Sequence, residues 1–185
     1  TASDIVQAME DACKIDVVKF RNWYYQAGTP VVSIQSEYDA DTKRYTLYVS
    51  QSCPDTPGQS NKKPLTVPLR LGLLGSDGKD LPLRLLVDDA STSKTDRVLS
   101  VTQQEQQFVF EGLESEPIPS LLRGFSAPVR LQYDYSRAEL LFLMVNDSDG
   151  FNRWNASQLL TIGLTDELQS DLAAGHRFSA SAELG

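Results

Sequence analysis

The sequence predicts a mainly β fold, a β-sandwich of about seven strands flanked by short helical segments at both ends. Three observations predict it. Apolar residues recur with a period of two through the middle of the chain, and turn residues separate most of the runs. In the first thirty residues and again after Tyr135 the spacing is helical. The length of 185 residues with 41% hydrophobic side chains is enough to bury a core without disulfide staples.

At the start, Ile5, Val6, Met9, Ala12 and Cys13 fall on one face of a helix, with Ser3 or Asp4 as its N-cap. A second helix is expected from a cap at Asp16. Val17, Phe20, Tyr24 and Ala27 lie near one face of it, and Gly28 serves as the left-handed stop. Thr29-Pro30 closes this zone, since proline disfavours helix in the residue before it. Val31 to Ser36 then alternate, Asp39-Ala40-Asp41 turns the chain, and Tyr45, Leu47 and Val49 alternate again, which predicts a hairpin. Pro54 to Pro64 reads as a long loop. Further strands are expected at Thr66–Leu74, Pro82–Leu86, Val98–Thr102, Gln106–Phe110 and Pro128–Tyr133, with Ser76-Asp77-Gly78 as a turn between two of them.

After Tyr135, Ser136-Arg137-Ala138-Glu139 has capping-box spacing and makes Leu140–Val145 a helix rather than a strand. Asp149 caps a second helix through Phe151, Trp154, Leu159 and Ile162. A third runs from Asp166 to Ala174, with Gly175 as its stop. The strand spacing suits an immunoglobulin-like sandwich, but one without the Cys–Trp–Cys triplet of antibody domains.

Charge and composition exclude several functions. With 25 acids against 17 bases the net charge is −8, and no basic face is available for nucleic acid. The longest apolar run, Leu140 to Val145, is far short of the ~20 residues of a membrane span. No basic leader precedes the first helix, so a cytoplasmic protein is expected. Cys13 and Cys53 are forty residues apart and read as two free thiols rather than a disulfide. The single histidine, His176, cannot furnish the two or three histidines that most catalytic zinc sites use.

No group of residues reads as an active site. Gly72, Gly75 and Gly78 lack the order of a dinucleotide fingerprint and the GK[ST] ending of a phosphate cradle, so they are strand and turn glycines. Asp147-Ser148-Asp149-Gly150 with Asn152 resembles a calcium loop only faintly. Gln158 stands where a bidentate glutamate belongs, and a helix-capping turn is the better reading. Asn146-Asp147-Ser148 and Asn155-Ala156-Ser157 match glycosylation sequons, which matter only in a secreted eukaryotic protein. Asp39/Asp41 and Asp88-Asp89 are loop acids. Trp23, Tyr24 and Tyr25 on a helix serve packing or an interface. Catalytic, cofactor and metal residues are therefore expected to be none.

Three stretches carry a family resemblance. Phe20-Arg21-Asn22-Trp23-Tyr24-Tyr25-Gln26-Ala27-Gly28-Thr29-Pro30 resembles the FxxWYxQxGTP segment that closes the catalytic domain of bacterial aminopeptidase N, the alanyl aminopeptidases of the gluzincin class. The stretch from Pro117 to Val129 resembles that family's PxPxLLxxFSAPV, and Asp149 to Gln158 its DxFxRWxAxQ helix opening. Gln103, Glu105, Gln106, Phe108, Val109 and Phe110 fit as well, and the likeness runs from about Asp4 to Leu160.

The resemblance implies a placement. Residues 1–30 would be the last helices of a catalytic domain, 31–135 a β-sandwich spacer, and 136–185 the first helices of a truncated C-terminal helical domain. The absence of an initiator methionine fits a fragment of a longer polypeptide. The family removes N-terminal residues from peptides with zinc. Its HExxH…E motif, its GAMEN loop and its catalytic tyrosine would all lie before Thr1. The chain would then be a non-catalytic spacer, its partners the rest of its own polypeptide, with peptides as substrates of the parent only. The other class of reading is a free-standing β-sandwich binding module for protein or carbohydrate, which rests on architecture alone. The apolar faces of Ile5, Met9, Phe20 and Trp23, and of Leu141, Phe142 and Met144, are expected either to fold back on the sandwich or to drive self-association.

Overall fold

In the computed structural model, residues 2–13, 19–87 and 94–174 are described. Among them, seven strands form two sheets, and the immunoglobulin-like sandwich expected from the sequence is present. The strands are β1 (Val31–Asp39), β2 (Arg44–Ser52), β3 (Val67–Leu74), β4 (Arg97–Val101), β5 (Glu105–Glu111), β6 (Ile118–Leu121) and β7 (Arg130–Gln132). The first sheet has the order β5-β2-β1-β7 and the second β4-β3-β6.

The hairpin forms in the register that its alternation dictates. Ile34 faces Val49 and Ser36 faces Leu47 across β1 and β2, while Val32, Ile34, Tyr45, Leu47 and Val49 all turn inward and are buried. They meet Val67, Leu69, Leu71, Leu73, Leu99 and Val101 of the second sheet in one core. The turn is held by Asp39, whose carboxylate accepts from the amides of Asp41 and Thr42 and from the Thr42 hydroxyl. β7 joins β1 in parallel, from Val31 opposite Arg130 to Ser33 opposite Gln132. A buried Gln51 ties the core to the loop before β3. Its amide donates to the carbonyls of Leu65 and Gln103, and its oxygen accepts from the Leu65 amide.

One expected strand is replaced by another. Pro82–Leu86 forms no strand. Leu83 and Leu85 do point inward, but the backbone makes only an isolated bridge, from Leu85 to Phe110. The alternation there reflects burial beside β5, not ladder pairing. In exchange, Ile118–Leu121 forms β6, pairing antiparallel with β3 from Leu71 opposite Leu121 to Leu74 opposite Ile118. Pro119 is tolerated because β6 is an edge strand.

The helical segments are α1 (Ala2–Cys13), α2 (Asn22–Tyr25), α3 (Arg137–Asn146) and α4 (Gly150–Ala173). Because α1 begins at Ala2, Ser3 and Asp4 lie in its first turn instead of capping it. The second expected helix shortens to a 3-10 turn, Lys19–Arg21, followed by α2, and its expected cap at Asp16 lies outside the described residues. Gly28 does adopt a left-handed φ of +98°, but two residues beyond the extended cap Gln26.

The capping box at Ser136 forms as expected. The Ser136 hydroxyl accepts from the Glu139 amide, and the Glu139 carboxylate accepts from the Ser136 amide. Asp149 caps α4 by accepting from the Asn152 amide. The two helices expected beyond Asp149 are one. α4 passes through Gly163 unbroken, and Glu167 on its far half takes two hydrogen bonds from Arg137 on α3. Packing of the hairpin against itself thus offsets the ~1 kcal/mol that a mid-helix glycine costs.

Candidate functional site

The α3–α4 hairpin sits on the outer face of the second sheet, where β3 loses its alternation. Leu71 and Leu73 face the sandwich core, whereas Leu74 on the opposite face joins Leu140, Leu143 and Ala156 in a second apolar cluster. Gly72 shares that outer face, and the guanidinium of Arg123 lies directly over it. Arg123 follows β6 through Leu122, whose left-handed φ of 58° turns both side chains inward, at a cost of about 1–3 kcal/mol of backbone strain.

Arg123 is 2% exposed and anchors a polar joint. Its Nη2 donates to Asp80 Oδ1 at 2.6 Å and to Asp147 Oδ1 at 3.3 Å, and its Nε donates to the Ser120 hydroxyl at 2.8 Å. Asp96 stands 3.7 Å from Nη1. Asn152 at the start of α4 donates to Ser120 Oγ and to the Leu121 carbonyl, and the Ser148 hydroxyl donates to Asp80. The joint therefore gathers the β3 turn, β6, the α3–α4 connection and the first turn of α4 around one cation. Burial works against the Arg123 charge, but Asp80, Asp147 and Asp96 outweigh it and hold the guanidinium above its usual range. Burial also pushes the Asp80 carboxyl upward; Arg123 and Ser148 overcome that and hold it below the usual carboxylate range.

A second joint binds the N-terminal segment to the loop before β3. Trp23 Nε1 donates to the Thr66 carbonyl at 2.8 Å. Gln26 makes a paired contact with Lys63, donating to its carbonyl at 2.9 Å and accepting from its amide at 2.6 Å. Gln59 does the same for residues 25–27, accepting from the Ala27 amide and donating to the Tyr25 carbonyl. Lys62 Nζ donates to the carbonyls of Ala27 and Pro54 and to the Thr56 hydroxyl. Its ammonium stands 3.2 Å from where a Cβ on Gly28 would be, so both the close approach and the positive φ favour glycine there.

Gly72 lies in β3, and Gly75 and Gly78 flank a tight turn. Asp147 and Asp149 form the α3–α4 turn, where Asp147 Oδ1 accepts from the Asp149 amide. Trp23 packs on the sandwich core, while Tyr24 and Tyr25 are exposed. Phe142 and Met144 fold onto the second apolar cluster; Ile5, Met9 and Phe20 remain exposed. Cys53 is a free thiol, half-buried, that donates to the Ala27 carbonyl. His176, Gly175, Asp88-Asp89 and the Cys13 side chain lie outside the described residues. Reading the sequence alone missed Arg123, Asp80, Gln59 and Lys62 as functional positions, because nothing local marks a surface-type residue as buried by partners dozens of positions away.

Among the described residues, no three His, Cys, Asp or Glu side chains gather so as to hold a metal ion, and no helix is long and apolar enough to cross a membrane. A hollow of about 520 Å³ lies on the first sheet, lined by Ser33, Gln35, Tyr48, Ser50, Glu105 and Gln107. It has one ring and no convergent set of charged groups. Among the described residues, the two joints match donors of one segment to acceptors of another.

One side of each joint lies in a stretch that carries the family resemblance. Residues 28–134 match a family described as a domain of unknown function, DUF3458, with an Ig-like fold. The chain belongs to that family. It is 44% identical over 160 residues to aminopeptidase N of Escherichia coli strain K12 and 43% identical over 164 residues to that of Haemophilus influenzae. Each alignment takes in 86% of this chain but only 18% of the relative, so the chain spans under a fifth of the proteins it matches. A crystal structure of Legionella pneumophila aminopeptidase A in complex with aspartic acid superposes with a TM-score of 0.77 at 31% identity, over 98% of this chain and 19% of that one. The DUF3458 segment thus ends, at residue 134, just before the capping box that opens the α3–α4 hairpin.

Proposed function

We propose that this chain is the non-catalytic spacer of a zinc-dependent aminopeptidase that removes N-terminal residues from peptides in the cytoplasm. The supporting observation is the pair of joints on the sandwich, each with one side built from residues that resemble aminopeptidase N. Residues 1–30 are read as the end of a catalytic domain, 31–135 as the sandwich, and 136–185 as the opening of a helical domain. A spacer that merely linked its neighbours would need a flexible tether. This one commits a buried arginine, a buried asparagine and a paired glutamine contact to fixing both neighbours in orientation. Its contribution to catalysis is geometric: it sets where the helical domain stands relative to the cleft, and so controls solvent exclusion and substrate entry.

The side chains described do not fit a zinc site, so no step of the reaction is assigned to them. Zinc and the reacting residues belong to the remainder of the polypeptide. The test is to introduce Arg123→Met and, separately, Gln26→Ala into the complete parent protein. Altered kcat/KM with unchanged zinc content supports the spacer reading. Unchanged kinetics in both variants, with the joints demonstrably opened, overturns it.

A further inference from the structure

The Arg123 joint contains more acid than it can neutralise. Three carboxylates, those of Asp80, Asp96 and Asp147, converge on one guanidinium, and Asp96 is shared with Arg70, whose Nε donates to it at 2.8 Å. Asp147 is the least well served of the three. Its side chain is 0% exposed, its Oδ1 receives the Arg123 contact at the long distance of 3.3 Å, and its Oδ2 is buried with no hydrogen-bond partner. Asp147 is also the C-cap of α3, its amide donating to the Leu143 carbonyl, so its carboxylate stands at the negative end of that helix. The other groups that face it add to the effect. Asp149 in the same turn is a second negative charge, and Tyr135, from the segment before α3, is a partly buried phenol with no positive charge to offer.

We propose that Asp147 is a proton-operated latch: the α3–α4 hairpin is held tightly on the sandwich when this carboxyl group is protonated and less tightly when it is ionised. A buried carboxylate with an unpartnered oxygen is costly, whereas the neutral acid in the same place is not. Burial raises the affinity of Asp147 for its proton, and Ser120, the Asp149 amide and Arg123 offset only part of that. The latch acts on a polar connection between the hairpin and the sandwich, because Asn152 and Ser148, which tie α4 to β6 and to Asp80, are within five residues of it.

The test is a titration of the 185-residue chain, following the Asp147 carboxyl carbon by NMR and assigning it through bonds in the unsubstituted protein. The account expects a midpoint above the ordinary aspartate value of about 3.9; a midpoint at or below that value overturns it. A second measurement compares the urea stability of the chain with that of Asp147→Asn, a neutral isostere. The variant should gain on the natural protein as pH rises through the Asp147 midpoint, and a difference that does not change with pH contradicts the latch. Amide exchange, corrected for its intrinsic pH dependence, should show α3 and α4 gaining protection relative to β1 and β2 on acidification. Equal changes in the helices and the strands also count against it.

Discussion

Gly72 and Arg123 are fitted to each other: a Cβ on Gly72 would lie 2.1 Å from the guanidinium carbon of Arg123. The glycine is needed for what lies above it, and not for its backbone angle. The contacts of Arg123 with Ser120, Asp80 and Asp147 are made with the guanidinium resting at that height over β3.

Gly72→Ala is therefore expected to lift Arg123 from the joint and to destabilise the chain by about 3 kcal/mol, toward the lower end of what breaking a buried ion pair costs. A urea unfolding series reads this as a lower midpoint at unchanged slope. Gly58→Ala isolates the cost of backbone angle alone, because Gly58, unlike Gly72, has a positive φ, +79°, and open space at its Cβ position.

Arg123→Met leaves Asp80 and Asp147 in the joint with no cation and should cost about 3–5 kcal/mol at neutral pH. The pH dependence has a definite sign. The net effect on Asp80 in the folded chain is a lowered proton affinity, with Arg123 as a major cause. Its stabilising contribution is therefore present above the unfolded value of about 3.9 and is lost as pH falls through the lower folded value. The gap between natural chain and variant should narrow on acidification across that window, as measured by urea midpoints at several pH values.

Trp23→Phe keeps a ring on the sandwich core but deprives the Thr66 carbonyl of its donor. A loss of about 1–2 kcal/mol is expected, concentrated in the N-terminal segment. Limited proteolysis should then cut before Val31 sooner than in the natural chain, with the rate of sandwich cleavage unchanged. Gln26→Ala, which removes the paired contact with Lys63, should give the same pattern.

These predictions separate what local sequence carries from what only the fold supplies. The β1–β2 hairpin was legible because alternation and the Asp39 turn act over a few residues, and the capping box at Ser136 is legible for the same reason. β6 was not, since Ile118-Pro119-Ser120-Leu121 looks like a proline-interrupted loop until β3 arrives to pair with it. Pro82–Leu86 erred in the opposite way, because alternate burial of Leu83 and Leu85 needs no ladder. The sequence reads α4 as two helices, one through Ile162 and one from Asp166, because nothing nearby announces the Arg137–Glu167 clamp that joins α4 to α3. The joints follow the same logic. The family-resembling stretches contain Trp23, Gln26, Ser120, Arg123 and Asn152, but Asp80 and Lys62 complete them from far along the chain and Asp147 from just outside the third stretch.

The central claim is that this chain shapes an aminopeptidase without performing its chemistry, and the direct measurement is of the purified 185-residue chain. Incubated with zinc and then with alanyl-p-nitroanilide, it should retain no stoichiometric metal after dialysis and release no nitroaniline above the uncatalysed rate. Bound zinc at one equivalent together with measurable turnover would contradict the account.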